Sequence, residues 1–246
     1  MKIIIYIVIF RRFFCLSSFI VSSNEVRVDV SRFVDLSHVI ENGMPVYPGD
    51  PEPLIEKESS IEEEGVNLTR LVTGSHVGTH VDAPLHFVKG GSSLDEIPLS
   101  TLIGEGVVLD LSYKEVGSGI SREDFEKFSS LIRRGDIVLV YTGTSDHWGE
   151  EGWDYRKFSY IEESGAKWLL EKGVKMVGID CMSVEKFGYS EPITHLLLLS
   201  AGVPLIESLS KRLGELAGKR GFVICLPLKL GGVDGGPARV IACPIE

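Results

Sequence analysis

Cysteine is scarce in this chain. Its 246 residues include four cysteines, and no two of them form a CxxC pair. Such wide spacing excludes a zinc knuckle and is unlike the framework of a small disulfide-rich domain. A chain of this length can bury a core that needs no disulfides. We therefore expect buried thiols in a reducing compartment at Cys15, Cys181, Cys225 and Cys243.

Runs of like charge, internal repeats and linkers are also lacking. The net charge is −10, but no block of five or more like charges occurs. This acidic balance argues against a nucleic-acid surface. The apolar fraction of 43% and the charged fraction of 24% are typical of a globular protein. Because no linker divides the chain, we expect a single folded domain over residues 26–246.

The first 22 residues differ in composition from the rest. Two apolar runs, residues 3–10 and 13–21, are separated by Arg11 and Arg12. The first run is too short to span a bilayer. A signal peptide would carry its positive charge before the apolar run. Residues 1–25 are therefore an apolar extension with three open interpretations: a poor signal or anchor, an unusual extension, or a wrongly assigned start codon. The last two are favoured, so we expect a cytoplasmic protein, with export or membrane contact as the alternative.

Strand-like and helix-like segments alternate in the middle of the chain, and both ends are rich in strands. Ser121 and Asp124 form a capping-box pattern, and Gly173 is a typical helix end. This order indicates an α/β domain with a mixed sheet or barrel. Helices are predicted at 121–132, 160–172 and 205–216, and strands at 26–34, 68–72, 106–111, 136–141, 174–180, 222–228 and 238–243.

Histidines are few but concentrated. Three of the six lie in the eleven-residue segment HVGTHVDAPLH, from His76 to His86. Gly78, Pro84 and the β-branched residues oppose a helix there. In a straight strand His76 and His80 would lie about 13 Å apart, too far to share one metal ion. A bend at Gly78 solves this problem, so we predict a bent segment.

Such a bend would bring together two imidazoles and the carboxylate of Asp82. These ligands suit Zn²⁺ or Mn²⁺ with a position left open for water. The density of the cluster favours a metal site over ordinary polar loop residues. His86 follows the proline and is either a fourth ligand or a free base. Composition does not rank the three distant candidates, which are His195, Glu207 and Asp180.

The segment GSHVGTHVDAPLHF, which contains the histidine cluster, is similar to the signature of the cyclase family. This family includes bacterial kynurenine formamidases and isatin hydrolases. The resemblance extends from Val34 to the C-terminus. The resemblance implies that this chain folds as a mixed β-barrel layered with helices, of the swivelling β/β/α type. The further segments that carry it are, in order, VDLSHVIENGMPVYPGDP, VLVYTGTSDHW, VGIDCMSVE, THLLLLSAGVPLIESL and LPLKLGGVDGGPARVIA.

The resemblance implies a role for each matching residue. His86 matches the catalytic acid/base of the family. The resemblance also implies a small-molecule amide as the substrate and a homodimer or homotetramer as the assembly. Formamidases tend to have Trp where this chain has Tyr47, and many relatives have an aromatic residue at Thr144. Tyr can still stack on a substrate ring. The implied metal ligands are His76, His80 and Asp82 for a first ion, with Asp82, His195 and Glu207 holding a second where two are bound.

The expected function is metal-dependent hydrolysis of a small amide, such as an N-formylkynurenine-like arylformamide. One or two Zn²⁺ ions would serve, with Mn²⁺ as the alternative. A second expectation is a cyclic amide, imide or lactone hydrolase with a single Mn²⁺. A third, of another class, is a non-catalytic metal or small-ligand binding protein.

Overall fold

The computed structural model describes residues 17–21 and 24–245. Fourteen strands and five α-helices occur in these residues. The helices are α1 (Ile61–Glu64), α2 (Leu99–Leu102), α3 (Arg122–Glu126), α4 (Glu163–Lys172) and α5 (Ile193–Ser200). The strands are β1 (Ser17–Val21), β2 (Asn24–Val28), β3 (Val34–Asp35), β4 (Leu54–Ser59), β5 (Leu68–Val72), β6 (His80–Asp82), β7 (Ile103–Asp110), β8 (Gly119–Ile120), β9 (Ile137–Tyr141), β10 (Tyr160–Ile161), β11 (Met176–Ile179), β12 (Leu205–Glu207), β13 (Arg220–Pro227) and β14 (Gly235–Pro244).

Seven strands close into a mixed barrel. Their order is β13-β7-β9-β11-β12-β6-β14, and the pairing of β13 with β14 closes the ring. Strands β7, β9, β11 and β12 run parallel to one another, whereas β6, β13 and β14 make antiparallel pairs. Strand β3 is the eighth strand of the sheet and pairs antiparallel with β14. The expectation of a single-domain mixed β-barrel with helices is confirmed.

The central parallel strands β9 and β11 are buried on both faces. In β9, Ile137 and Leu139 contribute to the cluster inside the barrel, while Val138 and Val140 contribute to the cluster shared with α3, α4 and α5. This alternation follows from the two-residue period of a strand. Because both faces are apolar, the sequence of β9 is one continuous hydrophobic run rather than an alternating pattern.

Several predicted elements differ in extent from those observed. The strand predicted at 26–34 is interrupted, because the Asp29 side chain accepts the Ser31 N–H and starts a 3₁₀ turn. The helix predicted at 121–132 has its capping box, but α3 ends at Glu126 and the chain continues in turns. The helix predicted at 160–172 begins at Glu163, since Tyr160–Ile161 pairs with β8.

The helix predicted at 205–216 is wrong. Leu205 to Glu207 instead form a strand between β11 and β6, followed by a 3₁₀ helix at Lys211–Leu216. Apolar residues buried on both sides of a barrel strand mimic a helical pattern, and tertiary packing overrides the local propensity.

The N-terminal extension lies largely outside the described residues. Of its residues, the structure describes 17–21, 24 and 25, which belong to the antiparallel pair β1–β2. The boundary at residue 25 therefore stays a prediction. No helix within residues 17–21 and 24–245 is long and apolar enough to cross a membrane.

Candidate active site

The histidine segment bends at Gly78. This glycine has a φ of +57°, which L-residues with side chains rarely adopt. A Cβ atom there would lie 3.1 Å from the Cε of Met44. The carbonyl of Gly78 accepts a hydrogen bond of 2.8 Å from His80 Nδ1, which leaves Nε2 of that ring free. The bend returns His76 to Asp82, with 2.7 Å between His76 Nδ1 and Asp82 Oδ1.

Two neighbouring strands bring the distant sequence segments to this bend. Strand β6 carries His80 and Asp82 and lies between β12 and β14. Glu207 on β12 pairs in register with His80, and Gly235 on β14 pairs with Asp82. The barrel ladder thus fixes Glu207 beside the histidine segment. Its Oε1 also accepts the Val184 N–H at 2.7 Å, which orients the carboxylate.

Helix α5 adds a further imidazole. His195 Nε2 lies 3.5 Å from Asp82 Oδ2 and 3.3 Å from Glu207 Oε1. Across the same cluster, His80 Nε2 lies 3.3 Å from Asp82 Oδ1 and 3.7 Å from Glu207 Oε2. The structure therefore brings together all five side chains that the sequence nominated as metal ligands.

Burial of this cluster leaves polar atoms without partners. Asp82 is fully buried, and His80 and His195 are almost completely buried. Within the described part of the chain, His80 Nε2 and Asp82 Oδ2 have no hydrogen-bond partner. Buried polar atoms are rarely left in this state, and a bound ion is one of the standard reasons. The cluster of nitrogen and carboxylate ligands fits a divalent cation.

The pKa values of the cluster also indicate a cation site. Burial alone would raise the pKa of Asp82, but the imidazoles of His195, His76 and His80 beside it hold it well below its usual value. Burial alone would lower the pKa of His76, but Asp82 and Asp234 raise it to about 9. The carboxylates therefore attract positive charge strongly, and metal binding would displace protons from the imidazoles.

His86 differs from the other histidines of the cluster. It ends the 3₁₀ turn Pro84–His86, and its ring stacks on that of His76 with 3.9 Å between centroids. Burial lowers the pKa of His86 to about 4, so the free imidazole is neutral at pH 7. A neutral imidazole beside a cation site can accept a proton, which is the property required of a general base.

An open cleft of about 190 Å³ gives access to these groups. Tyr47 lies in its wall and packs near Phe158 and Phe187, at centroid distances of 6.4 and 5.8 Å. A cleft that combines aromatic walls with the imidazoles and carboxylates of the cluster suits a small organic molecule with a polar reacting group. Its lining comprises Tyr47, Asp50, His76, His80, His86, Phe87, Met182, Ser183, Tyr189, His195 and Glu207.

The structure separates Asp180 from the cleft. Its buried carboxylate accepts hydrogen bonds from Thr142, Gly143 and Ser145, both backbone and hydroxyl. These bonds fix the turn after β9, as a cap would. Thr144, expected to reshape the pocket, is in the same turn and donates its backbone N–H to Thr142 Oγ1.

Two acidic residues beside the cluster escaped the sequence reasoning. Glu185 accepts the His195 backbone N–H at 2.9 Å, and Asp234 Oδ2 lies 3.0 Å from His76 Nε2. Both belong to segments that the sequence singled out, VGIDCMSVE and LGGVDGGPARV, but the residue types alone assign them no partner.

The chain is similar to known proteins over most of its length. The family described as "Putative cyclase" matches residues 34–186. Kynurenine formamidase of Bacillus thuringiensis (strain Al Hakam) is 30% identical over 216 residues, which cover 87% of this chain and 99% of that protein. A predicted metal-dependent hydrolase of Bacillus stearothermophilus has a similar structure, with a TM-score of 0.72 and 35% identity over 85% of this chain and 97% of the other.

Isatin hydrolase A of Labrenzia aggregata has the same fold. The two structures superpose with a TM-score of 0.78 at 26% identity, over 87% of this chain and 94% of the other. Fold, site and relatives confirm the expected class, a metal-dependent amide hydrolase. The chain belongs to the cyclase family.

Proposed function

We propose that this protein hydrolyses an arylformamide of the N-formylkynurenine type. The observation that carries the proposal is the cluster of five ligand-type side chains that includes buried Asp82, with the neutral base His86 beside them at the cleft. The kynurenine formamidases of Bacillus, similar over nearly their whole length, support this substrate class.

His76, His80, Asp82, His195 and Glu207 would hold the cation, as one ion or as two that share Asp82. Zn²⁺ is the ion we propose, because three imidazoles and two carboxylates form a set that zinc binds well, with Mn²⁺ as the alternative. When bound, such a cation lowers the pKa of water toward neutrality and polarises a carbonyl oxygen.

His86 would move the proton. Its neutral imidazole accepts a proton from the attacking water as the water oxygen bonds to the amide carbonyl carbon. The same proton then passes to the leaving nitrogen as the carbon–nitrogen bond breaks. Tyr47 would stack on the aromatic ring of the substrate at the wall of the cleft.

The test is hydrolysis of N-formylkynurenine by the purified full-length protein, followed as release of formate. We expect activity that is lost on chelation and restored by Zn²⁺. Turnover that survives complete chelation would contradict the proposal. A protein that binds Zn²⁺ but hydrolyses no amide or lactone would instead be the non-catalytic metal-binding protein of our third expectation.

A cyclic amide, imide or lactone is the second candidate substrate. The similarity to isatin hydrolase A favours it, as does Tyr47 in place of the Trp of formamidases. Isatin and a cyclic imide should be assayed beside N-formylkynurenine, with metal content measured on the same samples. A higher kcat/KM for the ring substrates, with one Mn²⁺ per chain, would favour the second candidate.

We also propose that the chain forms a homodimer or homotetramer. The hairpin β4–β5 exposes Leu68, Leu71 and Val72, each to about half of its surface. An isolated two-stranded hairpin is marginally stable, and clustered exposed apolar residues are typical of an interface. Light scattering should give two or four times the chain mass, and a monomer at all concentrations would contradict this.

A cytoplasmic location is proposed with it. Cys181, Cys225 and Cys243 are free thiols in the structure. Fractionation of cells that make the native protein should recover it with cytoplasmic markers. Recovery in an exported or membrane fraction would support the alternative that residues 1–22 act as a signal or anchor.

A further inference from the structure

Asp234 lies against two imidazoles of the site. Its Oδ2 atom is 3.0 Å from His76 Nε2 and 3.4 Å from His86 Nδ1. The rings of His76 and His86 are stacked on each other, so one carboxylate oxygen faces the same edge of both.

The backbone holds Asp234 at this point. Its carbonyl accepts the Ala83 N–H at 2.9 Å, and the next residue, Gly235, pairs with Asp82 on β6. Asp234 is therefore attached to the same strand that carries the ligand candidates. A shift of the Asp234 backbone away from β6 would require the β6–β14 ladder to open.

Gly235 shows that the His76 ring is packed into this position. A Cβ atom on Gly235 would lie 2.6 Å from the Cε1 atom of His76 and 2.8 Å from the Val81 carbonyl oxygen. The ring thus rests on the bare backbone of β14, with a carboxylate at each nitrogen: Asp82 at Nδ1 and Asp234 at Nε2.

We propose that Asp234 is a positioning residue for both histidines. It accepts the Nε2–H of His76, which leaves Nδ1 on the Asp82 side for the cation. It also attracts the Nδ1–H of His86, which leaves the other ring nitrogen of His86 to accept the proton from water. Carboxylates that fix the tautomer of a ligating histidine are a general feature of metal sites. The His86 half of this inference rests on the proposed function, whereas the His76 half rests only on metal binding.

Metal affinity tests the first half without any substrate. In competition with a chromophoric chelator, Asp234→Ala should bind Zn²⁺ about 10- to 100-fold more weakly than the unmodified chain, with unchanged stoichiometry at saturation. Asp234→Asn should lose less, because its amide oxygen can still accept one N–H. Equal affinity in all three proteins would overturn the proposal, and a lower stoichiometry would make Asp234 a ligand instead.

The tautomer gives a spectroscopic readout. Long-range ¹H–¹⁵N spectra of the zinc-loaded protein should show His76 protonated at Nε2, and this signal should be lost or shifted in Asp234→Ala. A zinc-loaded protein with His76 protonated at Nδ1 would contradict the assignment directly.

Turnover at saturating Zn²⁺ tests the second half. There kcat of Asp234→Ala should fall about 10-fold or more while KM changes little, because the orientation of the base is affected rather than the substrate pocket. An unchanged kcat would overturn the role at His86 even if metal affinity falls. If the unmodified chain hydrolyses no amide, the proposed function fails, while the affinity and tautomer results still decide the role at His76.

Asp95→Ala is the matched control. Asp95 accepts the Gly232 N–H at 2.8 Å and so holds the same loop, but it contacts none of the histidines of the site. This variant should bind Zn²⁺ as the unmodified chain does. If it weakens Zn²⁺ binding as much as Asp234→Ala, the effect comes from loosening of the loop, and the positioning role is wrong.

Discussion

At the scale of single residues, the site divides its histidines by their surroundings. His76, His80 and His195 face carboxylates that favour their positively charged or metal-bound forms. His86 faces a smaller share of negative charge, and burial keeps it neutral. One residue type thus serves two chemical purposes because of burial and neighbouring charge.

His86→Ala tests this division. The variant should keep its full content of bound metal, since His86 is outside the five ligand candidates, but lose at least about 10²-fold in kcat. Metal content is measured by plasma emission and kcat with N-formylkynurenine. A variant with unchanged kcat would contradict the role of His86, and one with reduced metal content would make it a ligand. His147→Ala is a matched control, because His147 stacks on Trp153 away from the cleft.

Residue types and spacing predicted the part of the site that lies in one short segment of the sequence. His76, His80, Asp82 and the bend at Gly78 were inferred from eleven residues, because backbone geometry leaves few ways to bring them together. His195 and Glu207 came only from family resemblance. Asp234 and Glu185 were missed, since a carboxylate beside a histidine in space has no signature in sequence.

At the scale of elements, the bend between β5 and β6 is the device that assembles the site. Gly78 has the left-handed backbone conformation, and His80 is held by the carbonyl of Gly78. Strands β12 and β14 then enclose β6 on both sides. The position of the ligands depends on this one turn and two ladders.

Gly78→Ala should damage both stability and metal binding. The left-handed conformation costs a residue with a Cβ about 1–2 kcal/mol, and the new methyl group would also crowd the Met44 side chain. We expect a lower free energy of unfolding in urea and weaker Zn²⁺ binding. Gly43→Ala is the matched control, because Gly43 also has a positive φ but has open space around it and lies outside the cleft. If the two variants lose equal amounts of stability and Zn²⁺ affinity, the bend has no special role.

Element prediction failed where tertiary contacts decide the structure. The segment 205–216 has an apolar pattern that fits a helix, yet β11 and β6 recruit its start into the barrel as β12. As a result Glu207, expected as an exposed helix charge by local reasoning, is buried beside His80. Strands β7 and β9 were predicted well, because burial on both faces produces an unambiguous apolar run.

At the scale of the whole molecule, a histidine outside the cluster makes stability depend on pH. His38 stacks on Trp148 with 3.8 Å between ring centroids, and burial lowers the pKa of His38 from 6.5 to about 4. The unfolded chain therefore takes up a proton at a higher pH than the folded chain. The cost to folding is absent above pH 6.5, grows as the pH falls through this window, and is complete near pH 4.

His38→Phe should reduce this dependence while keeping an aromatic ring against Trp148. Between pH 6.5 and 4 the free energy of unfolding of the unmodified chain should fall more steeply, by up to about 1.4 kcal/mol per pH unit. Urea titrations of both proteins across this range measure the difference in slope. Parallel curves would show that His38 titrates normally in the folded protein.

The α/β fold class follows from the alternation of strands and helices, which constrains connectivity strongly, whereas the barrel was implied by the family resemblance. Closure of the ring through β13 and β14 could not be predicted from the sequence. It depends on which distant segments pair with each other, and the order of strands and helices does not specify this. The pairing of β14 with β6 places Asp234 beside His76 and joins the C-terminal strands to the site.

An anomalous-scattering map of crystals of the active protein tests the central claim most directly. Data on both sides of the zinc absorption edge would identify the ion. We predict one or two peaks within about 2–2.3 Å of ligand atoms of His76, His80 and Asp82, with His195 and Glu207 joining where a second peak is present. Crystals of fully active protein with no peak beside Asp82 would contradict the account.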